Sequence, residues 1–378
     1  METIQNVYQA KTSAEASTML QELQRRAATA RDLIIPTHEV GMTARDAMIA
    51  IPGPFGSMEA MPLSPNAHRQ LGTKLDIPRA YYQRMQEAQP ELLSANVNTW
   101  LQSTDEKNML WRMMDGRVRA VLSDRYRPYD TADLAFSTLQ KATSAGAQIS
   151  RFTLTDDRFE MRLIQPQWEE SLTYPESGID ARYGSDGGHR IGRAMGRLIP
   201  GCYVSNSETG NGGLSIRPFI LDMVCSNGMI SEESFRRIHL GQQQDAGYLS
   251  IETRKAKDAT MWLEVADLVT AVFDRERFQT LVEELRGTAT RVLAEPIAAV
   301  ENVVKNYGLT EDDKQAILNE LISPSHDRDP GRTVFGLISA VTERAKAYRD
   351  TNPDQETALE IIGYELAKAP ETMVAIRR

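Results

Sequence analysis

The residues of this chain best suited to chemistry are arginines set beside tyrosines. The segment WRMMDGRVRAVLSDRYRPYD holds Arg112, Arg117, Arg119, Arg125 and Arg127 with Tyr126 and Tyr129, against only Asp115, Asp124 and Asp130. A second basic stretch, RYGSDGGHRIGRAMGR, adds Arg182, Arg190, Arg193 and Arg197 against Asp186, among glycines that let backbone amides approach a ligand closely. Arginine forks hold phosphate oxygens, and aromatic faces stack on unpaired bases at about 1–3 kcal/mol each, which is the chemistry of sequence-tolerant single-strand binding. The expected nucleic-acid site is therefore Arg117, Arg119, Arg125, Tyr126, Arg127 and Tyr129, with Arg190, Arg193 and Arg197 closing from above. The plainer reading puts these arginines at a sheet surface or subunit contact, and Tyr126 or Tyr129 in the core with a satisfied hydroxyl.

Other chemistries find less to work with. GNGG at residues 210 to 213 lacks the spacing, the following helix and the lysine that a phosphate-cradling loop needs. HExxH, CxxC and GxSxG are absent, and His38, His68, His189, His239 and His326 have no ligand-like spacing. A metal-dependent nuclease would have to gather Asp156, Asp157, Glu160 and Asp222, since two-metal chemistry needs converging acids. Turn formation explains the first two as well. No catalytic residue, metal or cofactor is expected.

The elements that must position these residues follow from periodicity. Met19, Leu20 and Leu23 mark a short surface helix, and IPGPFGSMEAMPLSP reads as an irregular linker because its prolines and glycines oppose regular structure. In LSPNAHRQLGTKLDIPRAYYQRM, two short helices meet at an angle, an outline that also fits a helix-turn-helix with Arg79, Gln83 and Arg84 as base readers. RFTLTDDRFEMRLI alternates, so it is a hairpin turning at Asp156-Asp157. Phe152, Leu154, Phe159, Met161 and Leu163 share its apolar face, and Arg151, Arg158, Glu160 and Arg162 make the other face a candidate binding surface. LIPGCYVSNS and LSIRPFILDMVCS are two further strands, with Pro200 and Pro218 indicating edges or bulges and Asn227-Gly228 a reversal. From about residue 253 the pattern is helical, with Thr310 and Asp313 as a capping box and Gly308 and Pro353 as breaks.

The expected fold is α+β: a central antiparallel β-sheet packed with helices, followed by an α-helical C-terminal region. The working division is an N-terminal helix and linker over 1–65, an α+β core over 66–250 and a helical domain over 251–378. The start of the chain has no leader pattern and no run reaches the ~18 apolar residues of a membrane span, so a bacterial cytoplasmic location is expected. Cys202 and Cys225 are then read as reduced thiols. The net charge of −9 opposes indiscriminate adsorption to nucleic acid, so any DNA site has to be a local patch.

VRAVLSDRYRPYD, then VSNSETGNGGLSIRPFILDMVCSNGM, then RRIHLG, taken in that order, resemble the phage/plasmid-like family known as domain of unknown function 932. LGTKLDIPRAYYQRM fits the amino-terminal part of that family, and the resemblance spans roughly residues 60 to 275. It implies a mobile-element protein and brings no catalytic residues with it. By analogy with phage annealing proteins of the RecT and Erf type, the expected function is non-catalytic binding of single-stranded DNA and strand annealing in recombination. A homo-oligomer is expected, with possible host or phage replication proteins as further partners. The rival expectations are a protein-binding or host-takeover factor that touches no nucleic acid, and the nuclease.

Overall fold

The computed structural model describes residues 13–103, 107–173, 194–223, 227–231, 235–237, 251–323 and 332–374. Helix α1 (Ser13–Thr29) buries Met19 and Leu23 and leads into strand β1 (Arg31–Pro36). Strands β2 (Gly41–Met42), β3 (Ile49–Pro52) and β4 (Met58–Met61) form a small antiparallel sheet. The segment expected to be irregular is thus partly a hairpin. Phe55 (φ 59°) and Gly56 (φ 80°) make a left-handed reversal between β3 and β4, so the glycine that argued against structure is what permits the turn. Ile49 and Ile51 anchor β3 in the core with no exposed surface.

Helices α2 (Pro65–Lys74), α3 (Arg79–Ala88) and α4 (Pro90–Ser103) follow, then strands β5 (Asn108–Met114) and β6 (Arg117–Ser123). A second three-stranded sheet has the order β1-β5-β6. Its core joins Ile35, Ile49, Leu71, Leu93, Trp111 and Val121 in one cluster that straddles residue 65.

Helix α5 (Thr131–Ser144) crosses to the main sheet, made of β7 (Gln148–Leu154), β8 (Phe159–Ile164), β9 (Glu170–Thr173), β10 (Ala194–Asn206), β11 (Leu214–Asp222), β12 (Asn227–Ile230) and β13 (Phe235–Arg237). The order is β12-β11-β10-β8-β7, with β9 also on β10 and β13 also on β11, and the recorded pairings are antiparallel. The expected hairpin is β7-β8, with Leu154 opposite Phe159 and Phe152 opposite Met161. Asn227 and Gly228 lie in β12 itself, paired with Asp222 and Leu221, instead of forming the reversal.

Pro200 and Pro218 correct a second expectation. They stand in the central strands β10 and β11, not at an edge, at the points where each strand changes partners. β10 pairs with β9 up to Leu198 and with β8 from Gly201; β11 pairs with β13 up to Ile216 and with β12 from Phe219. A residue without an N–H fits a ladder at such a joint, where one side owes no donor.

The C-terminal part is helical: α6 (Ile251–Val272), α7 (Arg275–Thr290), α8 (Pro296–Tyr307), α9 (Glu311–Ile322), α10 (Val334–Lys346) and α11 (Pro353–Lys368). Thr310 and Asp313 close the expected capping box, and Gly308 ends α8 at φ 64°. The chain is therefore α+β, with antiparallel sheets and a helical C-terminal region. No described helix is long and apolar enough to cross a membrane.

The two faces of the main sheet are covered differently. On one, Phe159, Met161, Leu163, Cys202 and Val204 pack with Met19, Leu134, Val265 and Val269 of α1, α5 and α6. Cys202 is buried there as a free thiol, and Cys225 lies outside the described residues. On the other face, the charges once read as a binding surface are roofed by α11. Arg162 makes a two-pronged contact with Glu360 at 2.6 and 2.8 Å, and Arg151 holds Glu356 at 2.8 and 2.9 Å. Tyr203 donates to Glu160 at 2.9 Å, and Arg158 reaches both Glu160 and Asp354.

Such a pair costs much more to halve than to replace, because one partner alone is an uncompensated buried charge. Glu360→Ala is expected to lower unfolding free energy by about 3–5 kcal/mol, whereas the double change Arg162→Met with Glu360→Leu stays within about 1 kcal/mol of the parent. Urea denaturation of the three proteins checks this.

Candidate functional site

Glu208 gathers the arginines of β5 and β6. It sits in the turn between β10 and β11, and its Oε2 accepts from Arg119 Nη1 at 3.1 Å while its backbone carbonyl accepts from Arg112 at 2.8 Å. Its Oε1 accepts from the Thr131 backbone N–H at 2.7 Å. That last bond supplies the cap for α5 that Asp130, at the N-cap position, does not make with its own side chain. Burial pushes the Glu208 carboxyl up, but Arg112, Arg119 and the Thr131 N–H outweigh it and hold the group below the usual carboxylate range.

The remaining members of the expected phosphate site are spread over several surroundings. Arg112 also bonds Asp32 at 2.9 Å, Arg117 bonds Asp156 at 2.7 Å, and Arg119 adds the Asp156 carbonyl. Tyr126 donates its hydroxyl to the Ser207 carbonyl at 3.0 Å, and Tyr129 packs on the α5 core. Arg197 is locked to Glu169 by two bonds of 2.6 and 2.7 Å. Arg127 is half-buried and Arg125 is exposed. Arg190 and Arg193 lie outside the described residues. Among the described residues, the guanidinium groups of Arg112, Arg117 and Arg119 are engaged with acids and carbonyls of this chain.

The acids considered for a nuclease are dispersed too. Asp156 takes Arg117, Glu160 takes Arg158 and Tyr203, and Asp222 accepts from the Arg197 backbone N–H at 3.2 Å. Among the described residues no three His, Cys, Asp or Glu side chains converge as a metal site.

What the fold does build is a cleft of about 480 Å³ at the α2-α3 junction. Ser64 starts α2 by accepting from the Ala67 N–H at 3.1 Å, Pro65 takes the first position, and Leu75–Pro78 form the turn before α3. Gly72 lets the ring of buried Tyr82 lie against α2, since a Cβ there would stand 3.0 Å from it. The Tyr82 hydroxyl is 2.9 Å from His68 Nδ1. One wall is the tip of the β10-β11 turn. Asn66 and Gln70 donate to the Thr209 carbonyl at 3.4 and 2.7 Å, which seats Asn211 at the cleft.

The cleft's chemistry is amide and cation. Arg69 bonds the side-chain oxygens of Asn66 and Asn211, each at 2.7 Å, so its charge meets neutral acceptors. Arg79, Gln83 and Gln86 line the α3 side, with Asp157 as the acid of the lining. On α3 only Tyr82 and Met85 are buried, so Arg79, Tyr81, Gln83, Arg84 and Gln86 face solvent. Over residues 65–88 four cations (Arg69, Lys74, Arg79, Arg84) stand against two acids (Asp76, Glu87), a local excess of two in a chain of net charge −9. Arg79, Gln83 and Arg84 were visible in the sequence. Arg69 and Asn211 come together only through the fold, 142 positions apart.

No family model matches the chain, and no solved structure matches it. The chain is 24% identical over 156 residues to UPF0380 protein YafZ of Escherichia coli (strain K12), a span that covers 41% of this chain and 50% of that protein. The match therefore takes in about half the length of that relative, and its name states no activity.

Burial holds His68 neutral, with its pKa down at about 4 against an ordinary 6.5. Between those values the unfolded chain binds a proton that the folded chain refuses, so stability is full above about pH 6.5 and falls as the pH drops toward 4. Unfolding free energy at pH 5 is expected to lie about 1–2 kcal/mol below its pH 7 value from this group alone. His68→Gln should remove that part of the slope, measured by urea denaturation at the two pH values. Glu208→Ala should cost about 3–5 kcal/mol at pH 7 by leaving Arg119 without its carboxylate, read as a shifted urea midpoint.

Proposed function

We propose that this protein binds single-stranded DNA without catalysis, through the α2-α3 cleft. The observation that carries the reading is Arg69: a guanidinium at the mouth of a nucleotide-sized cleft, fixed in direction by two amide oxygens and left with its positive charge unanswered by either. A fixed guanidinium is the favoured partner for a phosphate, because its planar fork is already organised and weakly hydrated. Arg79 and Arg84 extend the charge along α3, Tyr81 offers an exposed ring for stacking, and Gln83, Gln86 and Asn211 offer amides to base edges.

Concavity favours a single strand over a duplex. A helix that reads duplex DNA projects convexly into the major groove, whereas a cleft of about 480 Å³ accepts an unpaired nucleotide. The motif resemblance to the phage/plasmid-like family supports a role in mobile-element DNA metabolism, with annealing as the expectation attached to it. The arginines of β5 and β6 have no part in this reading; their acids already occupy them.

Anisotropy of a labelled oligonucleotide, single-stranded and as a duplex, tests the proposal. Binding to the single strand should weaken with salt at a log–log slope of about −1.4 to −2, set by two or three neutralised phosphates. The pair Arg69→Gln and Arg79→Gln should abolish binding with the melting temperature unchanged. Binding that ignores salt, prefers the duplex, or survives both changes would reject it.

A further inference from the structure

The acid in the lining of the α2-α3 cleft has no role in holding the fold together. Asp157 sits in the turn between β7 and β8, where its neighbours are engaged. Asp156 gives its carboxylate to Arg117 at 2.7 Å and its carbonyl to Arg119. The turn itself is closed by Thr155, whose hydroxyl accepts from the backbone N–H groups of Asp157 and Arg158 at 3.3 and 3.0 Å. The half-buried Asp157 carboxylate accepts no hydrogen bond and makes no ion pair among the described residues. Turn formation therefore does not account for it.

The backbone at Asp157 is nevertheless tied to the cleft wall. Thr209 donates its hydroxyl to the Asp157 carbonyl at 3.3 Å, and the same hydroxyl accepts from Asn211 Nδ2 at 3.4 Å. Asn211 in turn accepts from Arg69 at 2.7 Å. This chain of contacts runs from the guanidinium of Arg69 to the turn that carries Asp157, yet the two side chains make no ion pair with each other. One cleft thus holds a cation that meets only neutral acceptors and an acid that meets no donor. A ligand that answers both carries an anionic group at one end and paired N–H donors at the other.

We propose that Asp157 makes the cleft selective for guanine, an inference that rests on the single-strand reading of the same cleft. A carboxylate is acceptor-only, with its oxygens side by side. Guanine presents adjacent N–H donors, N1–H and the N2 amino group, on its Watson–Crick edge. Adenine and cytosine set a donor beside an acceptor there, and thymine has one N–H between carbonyls. Unpaired strands expose that edge to side chains. Guanine therefore meets Asp157 through parallel charge-assisted bonds, while Arg69 holds the phosphate and the amides of Gln83 and Gln86 serve the base's acceptors. With any other base the carboxylate faces a lone pair or a lone donor, and its charge opposes the phosphates.

Anisotropy of a labelled oligothymidylate of about 15 nucleotides, unmodified or with one central deoxyguanosine, deoxyinosine or deoxyadenosine, tests the assignment. The guanine strand should bind about tenfold more tightly than the all-thymidine and adenine strands, and the inosine strand, which lacks the amino group, should fall between. Asp157→Asn sets a donor beside an acceptor, so it should erase the guanine advantage and bind the all-thymidine strand at least as tightly as the parent, at an unchanged melting temperature. Equal affinity for all the strands, or a guanine advantage that survives Asp157→Asn, would overturn the guanine assignment and leave single-strand binding standing. Titration calorimetry with dGMP and dAMP keeps the two readings apart. The parent should bind dGMP with a Kd on the order of 1 mM and dAMP more weakly, and Asp157→Asn should remove the difference. If no strand binds but dGMP does so selectively, the strand reading falls and the guanine site stands; if neither strands nor dGMP bind, both fall.

Discussion

The joint on which the rest of the molecule depends is the carboxylate of Glu208 between Arg119 and the start of α5. Among the described residues the main sheet and the β1-β5-β6 sheet share no backbone ladder, so side chains register one against the other. Glu208 does this from a turn: its carboxylate takes Arg119 of β6 and the Thr131 N–H, while its backbone carbonyl takes Arg112 of β5. Next to it Ser207 receives Tyr126, and Thr209 receives Asn66 and Gln70 of α2. One turn therefore seats a strand pair, a helix N-terminus and the α2-α3 unit. Gly210, at φ 81° with Leu122 and Gln70 close by, gives that turn its path.

The arginine-rich middle looked like a phosphate surface because its compensating acids are remote in the chain. The carboxylates of Asp32, Asp156 and Glu208 lie up to 89 positions from the arginines they meet. Local charge counting has no access to such distances. The same holds for β7 and β8, whose arginines wait for Glu356 and Glu360 some 200 positions later. A polar strand face in an antiparallel sheet usually faces water; here a helix with acids on its inner side converts it into an ion-paired interface. Each buried pair contributes less to net stability than to the uniqueness of the docking, since misplacement leaves a charge unmatched.

Features fixed by short-range rules were legible. The α2-α3 pair, the β7-β8 hairpin, the Thr310-Asp313 cap and the Gly308 break depend on residues within a few positions of each other. Helix α4 and the β3-β4 hairpin were not, the latter because proline and glycine were read as breakers when Gly56 is the turn that makes pairing possible. Pro200 and Pro218 pointed to irregularity correctly and to its place wrongly. In a sheet whose strands change partners midway, the donor-free positions fall in the centre. Of the cleft, the face of α3 was readable from helical spacing, but the mouth formed by Arg69 and Asn211 required the β10-β11 turn to be in place.

That turn also bears on how rigidly the cleft is held. Asn211 lies at one end of the β10-β11 pair and Phe219 near its middle, separated by roughly 15–20 Å of strand at about 3.4 Å per residue. A change of shape there on binding needs a second arrangement, because a ligand shifts an equilibrium only by its differential affinity for two states. The strand pair packs on the α1-α5-α6 core through Cys202, Val204, Leu214 and Ile216, and the neighbouring strands β7 and β8 are tied to α11 by ion pairs. Those contacts favour a single arrangement, so the physical expectation is a preformed cleft at the end of a rigid hairpin, with Glu208 holding the end that carries it.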